Sequence, residues 1–228
     1  MAKKVKSQAD ERVKKDKKEW SEGELIRTFN LNRIINNQTP VMQEWLDVQL
    51  PELNLGEQYM FDEDLTNAQK YITGWNEEDL KMKFISNIVK LGYLRDGDNV
   101  MGYFDKIISA TIEDIKLTVK SDFMLAKGTL DFFEIPYFHF QEYKPYKNPS
   151  GDSMAQLLEA FLIAQEKNKN GKPMYGVDIM GANWRFVTME GKDYCISKAF
   201  DSIDKSDLLI IIAVLRKFRY ILETRLLA

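Results

Sequence analysis

The sequence is poor in residues on which several common chemistries depend. It contains one cysteine, Cys195, and one histidine, His139, in 228 residues. An intrachain disulfide is therefore excluded, and so are zinc sites built from several histidines. No two glycines stand in a G-x-G arrangement, which excludes the usual dinucleotide-binding fingerprint. Gly176 and Gly181 have the spacing of a phosphate-binding loop, but the dipeptide Ala182-Asn183 follows them where such a loop needs lysine and serine or threonine.

Long apolar runs and an excess of positive charge are also missing. The longest uninterrupted apolar run, Leu208 to Leu215, has eight residues, whereas a membrane-spanning helix needs about 20. The lysine-rich N-terminus has no apolar stretch behind it and is not expected to be a secretory signal. With 32 basic and 35 acidic residues the net charge is −3, so any contact with phosphate must come from local patches. We expect a cytoplasmic protein that does not bind membranes.

Three regions follow one another along the chain. Residues 1–19 alternate lysine with acidic residues and have few apolar anchors, which predicts a basic, flexible tail. Residues 20–75 are predicted to be helical, because Ser21 and Glu24 form a capping box and Thr39-Pro40 is a typical helix start. This segment is also a candidate unit for dimerisation or target recognition. Residues 76–228 mix helix and strand patterns without a repeat, which predicts an α/β or α+β sheet domain behind the helical segment.

The clearest predicted helix runs from Asn76 to Leu91 and ends at Gly92. Asn76 is a plausible cap, and three acidic residues follow it in the first turn, where the helix dipole favours negative charge. At about 100° per residue, Glu77 falls on the apolar side of this helix and Glu78 at the edge of that side. Glu77 is therefore the first candidate for an acidic side chain that reaches a site at the end of a sheet, with Glu78 as the alternative.

A second acidic group is predicted at the end of a strand hairpin. Glu142 and Lys144 close the strand Tyr137–Lys144 and point to the same face of it, because side chains alternate along a strand. If Asp122 lies opposite Glu142, the hairpin is centred on residue 132, Lys127 faces Tyr137, and residues 128–136 form the connection.

Asp131 is the alternative partner of Glu142. That pairing gives a tight turn at Pro136-Tyr137 but leaves the apolar run 123–126 without its natural partner. Asp122 is therefore favoured.

Carboxylates gathered in this way need compensation for their repulsion, which is roughly 4 kcal/mol for a like pair 4 Å apart at an effective dielectric constant of about 20. Protons or a hard cation can supply it. Oxygen ligands suit Mg²⁺, or Mn²⁺, better than zinc, and the Lys144 ammonium can hold water or stabilise developing negative charge.

These residues resemble the motif of the PD-(D/E)XK nuclease superfamily. The likeness covers roughly residues 76–227, and it extends to bacterial PD-(D/E)XK family proteins of uncharacterised role. It includes Asp122, the phrase Tyr137–Lys144 and the helix that begins near Gln156, followed by Tyr175-Gly176 and the stretch Trp184–Tyr194. The residue before Asp122 is Ser121, where the motif has proline.

The resemblance implies a fold and a function. The fold is a restriction-endonuclease-like core, in which helices flank a mixed sheet. The function is Mg²⁺-dependent hydrolysis of phosphodiester bonds in nucleic acid, most simply DNA. Separately from the resemblance, the chain would be a homo-oligomer if residues 20–75 mediate assembly. The implied roles are metal ligation by Asp122 and Glu142, outer ligation by Glu77, activation of water by Lys144, and support of the site or contact with substrate by Gln156. The alternative is a catalytically silent module with the same fold that binds nucleic acid or a partner protein.

Overall fold

The computed structural model describes residues 19–35, 38–94, 96–97, 99–147 and 149–227. The helices in these residues are α1 (Glu22–Phe29), α2 (Pro40–Leu46), α3 (Leu55–Tyr71), α4 (Glu77–Leu80), α5 (Ser86–Leu91), α6 (Ser153–Asn168) and α7 (Lys205–Ile221). The strands are β1 (Asn32–Ile35), β2 (Val100–Ile112), β3 (Ile115–Thr129), β4 (Phe132–Lys144), β5 (Met174–Met180), β6 (Asn183–Glu190), β7 (Asp193–Ile196) and β8 (Phe200–Asp201). A 3-10 turn (Ile72–Gly74) follows α3, and π-helical turns join α4 to α5 (Lys81–Ile85) and extend α7 (Leu222–Leu226).

The strands form one mixed sheet of eight, flanked by helices. Its order is β1-β7-β6-β5-β4-β3-β2, and β8 pairs with β6. The β1–β7 and β4–β5 pairs are parallel, and the other pairs are antiparallel. Helix α6 crosses over between the parallel strands β4 and β5, as a parallel connection requires. The predicted α/β class is confirmed.

Local sequence signals set most of the element ends. The capping box of Ser21 and Glu24 begins α1, and the Thr39 side chain accepts the Met42 backbone N–H at the start of α2. The turns after β5 and β6 contain Gly181 and Gly191 with φ of 57° and 58°, a conformation that favours glycine. The two helix starts agree with the sequence predictions, because each depends on neighbours along the chain.

Two apolar cores lie on the two sides of the sheet. One is built around α6 and α1 and includes Phe140 and Phe161. The other contains residues of α2, α3, α4, α5 and α7 and includes the fully buried Trp45, whose indole N–H donates to the Val214 carbonyl at 2.9 Å. No helix among the described residues is both long and apolar enough to cross a membrane.

The N-terminal segment differs from its prediction. Residues 32–35, predicted to be helical, form β1, which pairs in parallel with β7 at the sheet edge. The β-branched Ile34-Ile35 suits this edge better than a helix. Trp45 also packs against Phe186 and Phe218, with ring centroids 5.0 and 6.1 Å away. Removing residues 20–75 would therefore open the core of the predicted domain 76–228. The predicted tail, residues 1–19, lies outside the described residues except for Glu19.

Candidate functional site

The β3–β4 hairpin brings two of the predicted site residues together. Its ladder pairs Phe123 with Gln141, and Asp122 and Glu142 are the next positions at the open end. The Asp122 Oδ2 atom accepts the Tyr143 backbone N–H at 2.8 Å, which fixes the aspartate against the end of β4. The structure thus places Asp122 beside Glu142, as the favoured register predicts.

Nearer the turn, the predicted register is wrong. The ladder shifts between Leu125 and Lys127, so that Lys127 pairs with Glu134 instead of Tyr137. The extra residues of β4 are accommodated as a bulge, and both strands continue to a short turn that contains Asp131. Asp131 therefore lies at the end of the hairpin opposite to Glu142 and is not its partner.

Glu142 is the most unusual group of the site. It is 0 % exposed, and neither carboxyl oxygen makes a hydrogen bond of normal geometry with the described residues, although the Ser121 and Asp122 side chains lie close to it. Burial raises the pKa of the Glu142 carboxyl well above its ordinary value, and the nearby charge of Asp122 raises it further. A buried carboxyl without a partner is costly, so a proton or a cation is needed to complete the site.

Asp122 is better compensated. It is 7 % exposed, and burial raises the pKa of its carboxyl. The hydrogen bond from Tyr143 and the charge of Lys144 act in the opposite direction without cancelling the effect of burial. The carboxyls of Asp122 and Glu142 thus hold a proton more tightly than exposed carboxyls do.

Lys144 joins this pair to the helix that carries Glu77. Its side chain is 5 % exposed, and its Nζ lies 3.7 Å from the Glu77 Oε2 atom. The helical pattern predicts Glu77 on the core-facing side of its helix, but the Glu77 side chain is 44 % exposed and therefore lies at the rim of the site. Glu78 is exposed on the same first turn.

Gln156 lies on the helix that follows β4, three residues after Ser153, whose hydroxyl donates to the Glu142 neighbour Asp178. It stands in the first turns of α6 and lines a cleft of about 530 Å³ together with Lys120, Asp152 and Glu159. Its Oε1 atom is buried and has no hydrogen-bond partner in the described part of the chain. His139, which the alternation of β4 places away from Glu142, is buried against Phe218 with ring centroids 4.7 Å apart. Burial lowers the pKa of His139 to about 3, so its ring stays neutral.

The structure adds an ion pair beside Glu142 that the sequence analysis missed. Asp178 of β5 is the ladder partner of Glu142, and Arg185 of β6 is the ladder partner of Asp178. The Asp178 carboxylate is 1 % exposed and accepts hydrogen bonds from the Arg185 guanidinium and the Ser153 hydroxyl. The sequence does contain a signal for this ion pair, because an aspartate and an arginine each interrupt a largely apolar strand.

A second missed group lies on the other side of Asp122. Asp105 stands between the ladder pairs Phe104–Phe123 and Lys106–Ser121, which places it alongside Asp122. It forms ion pairs with Lys81 and with Lys120, the latter at 2.8 Å. Burial opposes ionisation of Asp105, but the hydrogen bonds from the two lysines outweigh it and lower its pKa.

The residues present fit a divalent cation in part. Asp122 and Glu142 offer oxygen ligands of the kind that Mg²⁺ and Mn²⁺ prefer, and the Glu142 oxygens have no protein partner in the described chain. Within the described ranges, no three Asp, Glu, His or Cys side chains are grouped so that they could hold a metal ion. Further ligands would therefore be water or substrate, as is common for Mg²⁺.

The chain matches no model of a known protein family, and no curated protein matches it with significance.

Proposed function

We propose that the chain is a metal-dependent nuclease of the PD-(D/E)XK type that hydrolyses phosphodiester bonds, with DNA as the substrate. In this proposal the restriction-endonuclease-like core consists of the helix formed by α4 and α5, the meander β2-β3-β4, the crossover helix α6 and strand β5. This order is the one that the resemblance implies. Asp122, in the middle of β3, lies beside the C-terminal end of β4, which carries Glu142 and Lys144.

The observation that carries the proposal is the unpartnered, buried Glu142 carboxyl beside Asp122. Two neighbouring carboxyl groups under water-excluded conditions repel each other strongly when both are ionised. A divalent cation would relieve that repulsion and supply the missing partner of Glu142. When bound, such an ion neutralises charge on a phosphoryl group and lowers the pKa of coordinated water.

Each residue then has a defined task. Asp122 and Glu142 would hold the cation, and the Tyr143 N–H keeps Asp122 in place. The Lys144 ammonium would stabilise negative charge as water attacks phosphorus, because it is buried and adjacent to both carboxylates. Glu77, at 3.7 Å from Lys144, would orient that ammonium from the solvent side.

Cation binding is the direct test. Isothermal titration of the purified protein with Mn²⁺ should show binding that Glu142→Gln abolishes, and cleavage of single- or double-stranded DNA should require Mg²⁺ or Mn²⁺. A protein that binds neither ion and cleaves neither DNA nor RNA would contradict the proposal. The control is Asp131→Asn, which changes a carboxylate at the remote turn and should leave both measurements unchanged.

Full burial of Glu142 favours a second candidate, a catalytically silent module that keeps the fold and binds nucleic acid or a partner protein. In that case a proton, and not a cation, would be shared by Asp122 and Glu142. DNA binding without any effect of Mn²⁺ on thermal unfolding would support the module and exclude the enzyme.

The proposal includes a cytoplasmic location, in which the buried free thiol of Cys195 would stay reduced. It also includes assembly into a homo-oligomer. Light scattering of the intact chain measures that assembly directly.

A further inference from the structure

A cleft of about 500 Å³ opens at the end of α3. It is lined by Asn67, Tyr71, Gly74, Trp75 and Lys83. The volume lies within the range of small-molecule and cofactor sites. None of these residues belongs to the carboxylate site or to its hydrogen bonds.

The side chains around this cleft combine an aromatic ring, an amide and a cation. The Tyr71 side chain is exposed, at 56 %, on the last position of α3. Trp75 is buried and packs against Phe84 with ring centroids 6.3 Å apart, so it forms a rigid wall. Asn67 can donate and accept hydrogen bonds. This is the chemistry that recognises an unpaired nucleobase, in which a ring stacks and an amide reads the base edge.

Lys83 supplies positive charge at the same cleft. Its Nζ lies 2.7 Å from the Asp79 Oδ1 atom, and its side chain is 57 % exposed. An ion pair this exposed contributes little to stability, so the ammonium can turn to a phosphate at small cost. The negative charge of Asp79 repels a bare anion such as phosphate. Binding therefore also needs the attraction that a stacked base provides.

The cleft adjoins the carboxylate site along the chain. Trp75 is followed by the cap Asn76 and then by Glu77, whose carboxylate faces Lys144. Two residues span at most about 7 Å even when fully extended, so the Cα atoms of Trp75 and Glu77 are no farther apart than that. A nucleic-acid strand that reaches Glu77 and Lys144 can therefore place a neighbouring base in the cleft.

We propose that this cleft binds one unpaired base of a nucleic-acid strand, stacked on Tyr71 with its phosphate near Lys83, next to the carboxylate site. The inference rests on the proposed function for its ligand class. It adds that the substrate presents unpaired bases, as a single strand or an overhang does, because a base inside a duplex offers no free face for stacking.

The test measures binding separately from cleavage. A fluorescent single-stranded oligodeoxynucleotide is titrated with the full chain in EDTA, with the duplex of the same sequence and a mononucleotide as further probes. Tyr71→Ala should weaken single-strand binding about tenfold, since stacking on an aromatic ring contributes roughly 1–3 kcal/mol per base. Tyr71→Phe should keep the affinity, and Lys83→Gln should weaken binding and reduce its dependence on salt.

Two variants guard against indirect effects. Tyr220→Ala removes a ring of similar exposure, 57 %, that does not line the cleft, and it should bind like the unmodified chain. Gly74→Leu should block the cleft and reduce affinity without disturbing the core, because a Cβ at Gly74 meets nothing within 4 Å.

The outcomes separate this inference from the proposed function. Single-strand binding in EDTA that depends on Tyr71 supports the inference even when no metal-dependent cleavage follows, which would contradict only the enzyme. Absent single-strand binding, binding of the single strand or of the mononucleotide that Tyr71→Ala leaves unchanged, or equal affinity for the duplex would overturn it, whatever the cleavage assay shows.

Discussion

The Asp122 carboxylate is hydrogen-bonded to the Tyr143 backbone N–H, with 2.8 Å between Oδ2 and the nitrogen. The acceptor belongs to β3. The donor belongs to Tyr143, the residue between Glu142 and Lys144 on β4. This bond orients Asp122 before any ligand binds, because a peptide within a buried strand cannot move independently of the sheet. Asp122 is therefore held in place by the same strand that carries Glu142 and Lys144.

Replacing the carboxyl of Glu142 should separate stability from cation binding. Glu142→Gln removes a buried ionisable group, so we expect the folded protein to be as stable as the original or more stable in EDTA at neutral pH. In the proposed function Mn²⁺ would raise the unfolding temperature by binding the native state, and the same change should abolish that rise. Thermal unfolding with and without Mn²⁺ measures both effects. A full Mn²⁺ response in this variant would remove Glu142 from the ligand set.

In the proposed reaction, Lys144 should matter more for the rate of cleavage than for cation binding. Lys144→Met keeps most of the side-chain volume but removes the charge, and we expect cleavage to fall by about 10²- to 10³-fold, the usual cost of losing one electrostatic stabiliser. Mn²⁺ should still bind, because both carboxylates remain. Single-turnover cleavage and calorimetry on the same preparation test this difference.

Lys120→Met is the matched control for Lys144→Met. This lysine also lies close to the site, but its side chain is 58 % exposed and pairs with Asp105. Its removal should change cleavage much less. Equal losses in the two variants would show that general charge, and not the position of Lys144, governs the rate.

The sequence alone was sufficient where the signal is local or periodic. Helix caps depend on residues three positions apart, and the pairing of Asp122 with Glu142 follows from matching two apolar strands around one centre. The register nearer the turn could not be predicted, because bulges between Leu125 and Lys127 shift the pairing by a number of residues that no local pattern specifies.

Asp178 and Asp105 lie next to the carboxylate site only because of the tertiary structure. Asp178 becomes a neighbour of Glu142 only because α6 returns the chain to pair β5 in parallel with β4. Asp105 has a φ of 56° inside a long strand, and it is held by Lys81 from the helix of Glu77. Neither contact has a spacing that can be recognised along the chain.

Asp64 should make stability depend on pH. It is buried between α3 and α5, where Asn87 donates to its Oδ1 atom at 2.8 Å, and burial raises its pKa from 3.8 to about 6. Since the folded state holds this proton more tightly than the unfolded state, the contribution is favourable at low pH and is lost as pH rises from about 4 to about 6. The loss amounts to at most about 3 kcal/mol.

Urea unfolding of Asp64→Asn at several pH values measures this contribution. The amide keeps an acceptor for Asn87 but does not ionise, so the variant should be more stable than the original at pH 7 and similar to it near pH 4. Parallel pH profiles of the two proteins would show that Asp64 is not responsible.

Arg185 should stabilise the fold through Asp178. Arg185→Met leaves a carboxylate that is 1 % exposed with the Ser153 hydroxyl as its remaining side-chain donor. Leaving a buried charge unpaired costs about 3–5 kcal/mol, and we expect the lower end here because the Arg185 side chain is 36 % exposed. Asp178→Asn together with Arg185→Met should restore much of that loss, because no buried charge remains. Urea unfolding of the two single variants and the double variant gives the coupling free energy. If the losses of the single variants simply add, the two residues do not act as a pair, and the neighbourhood of Glu142 would have to be held by packing alone.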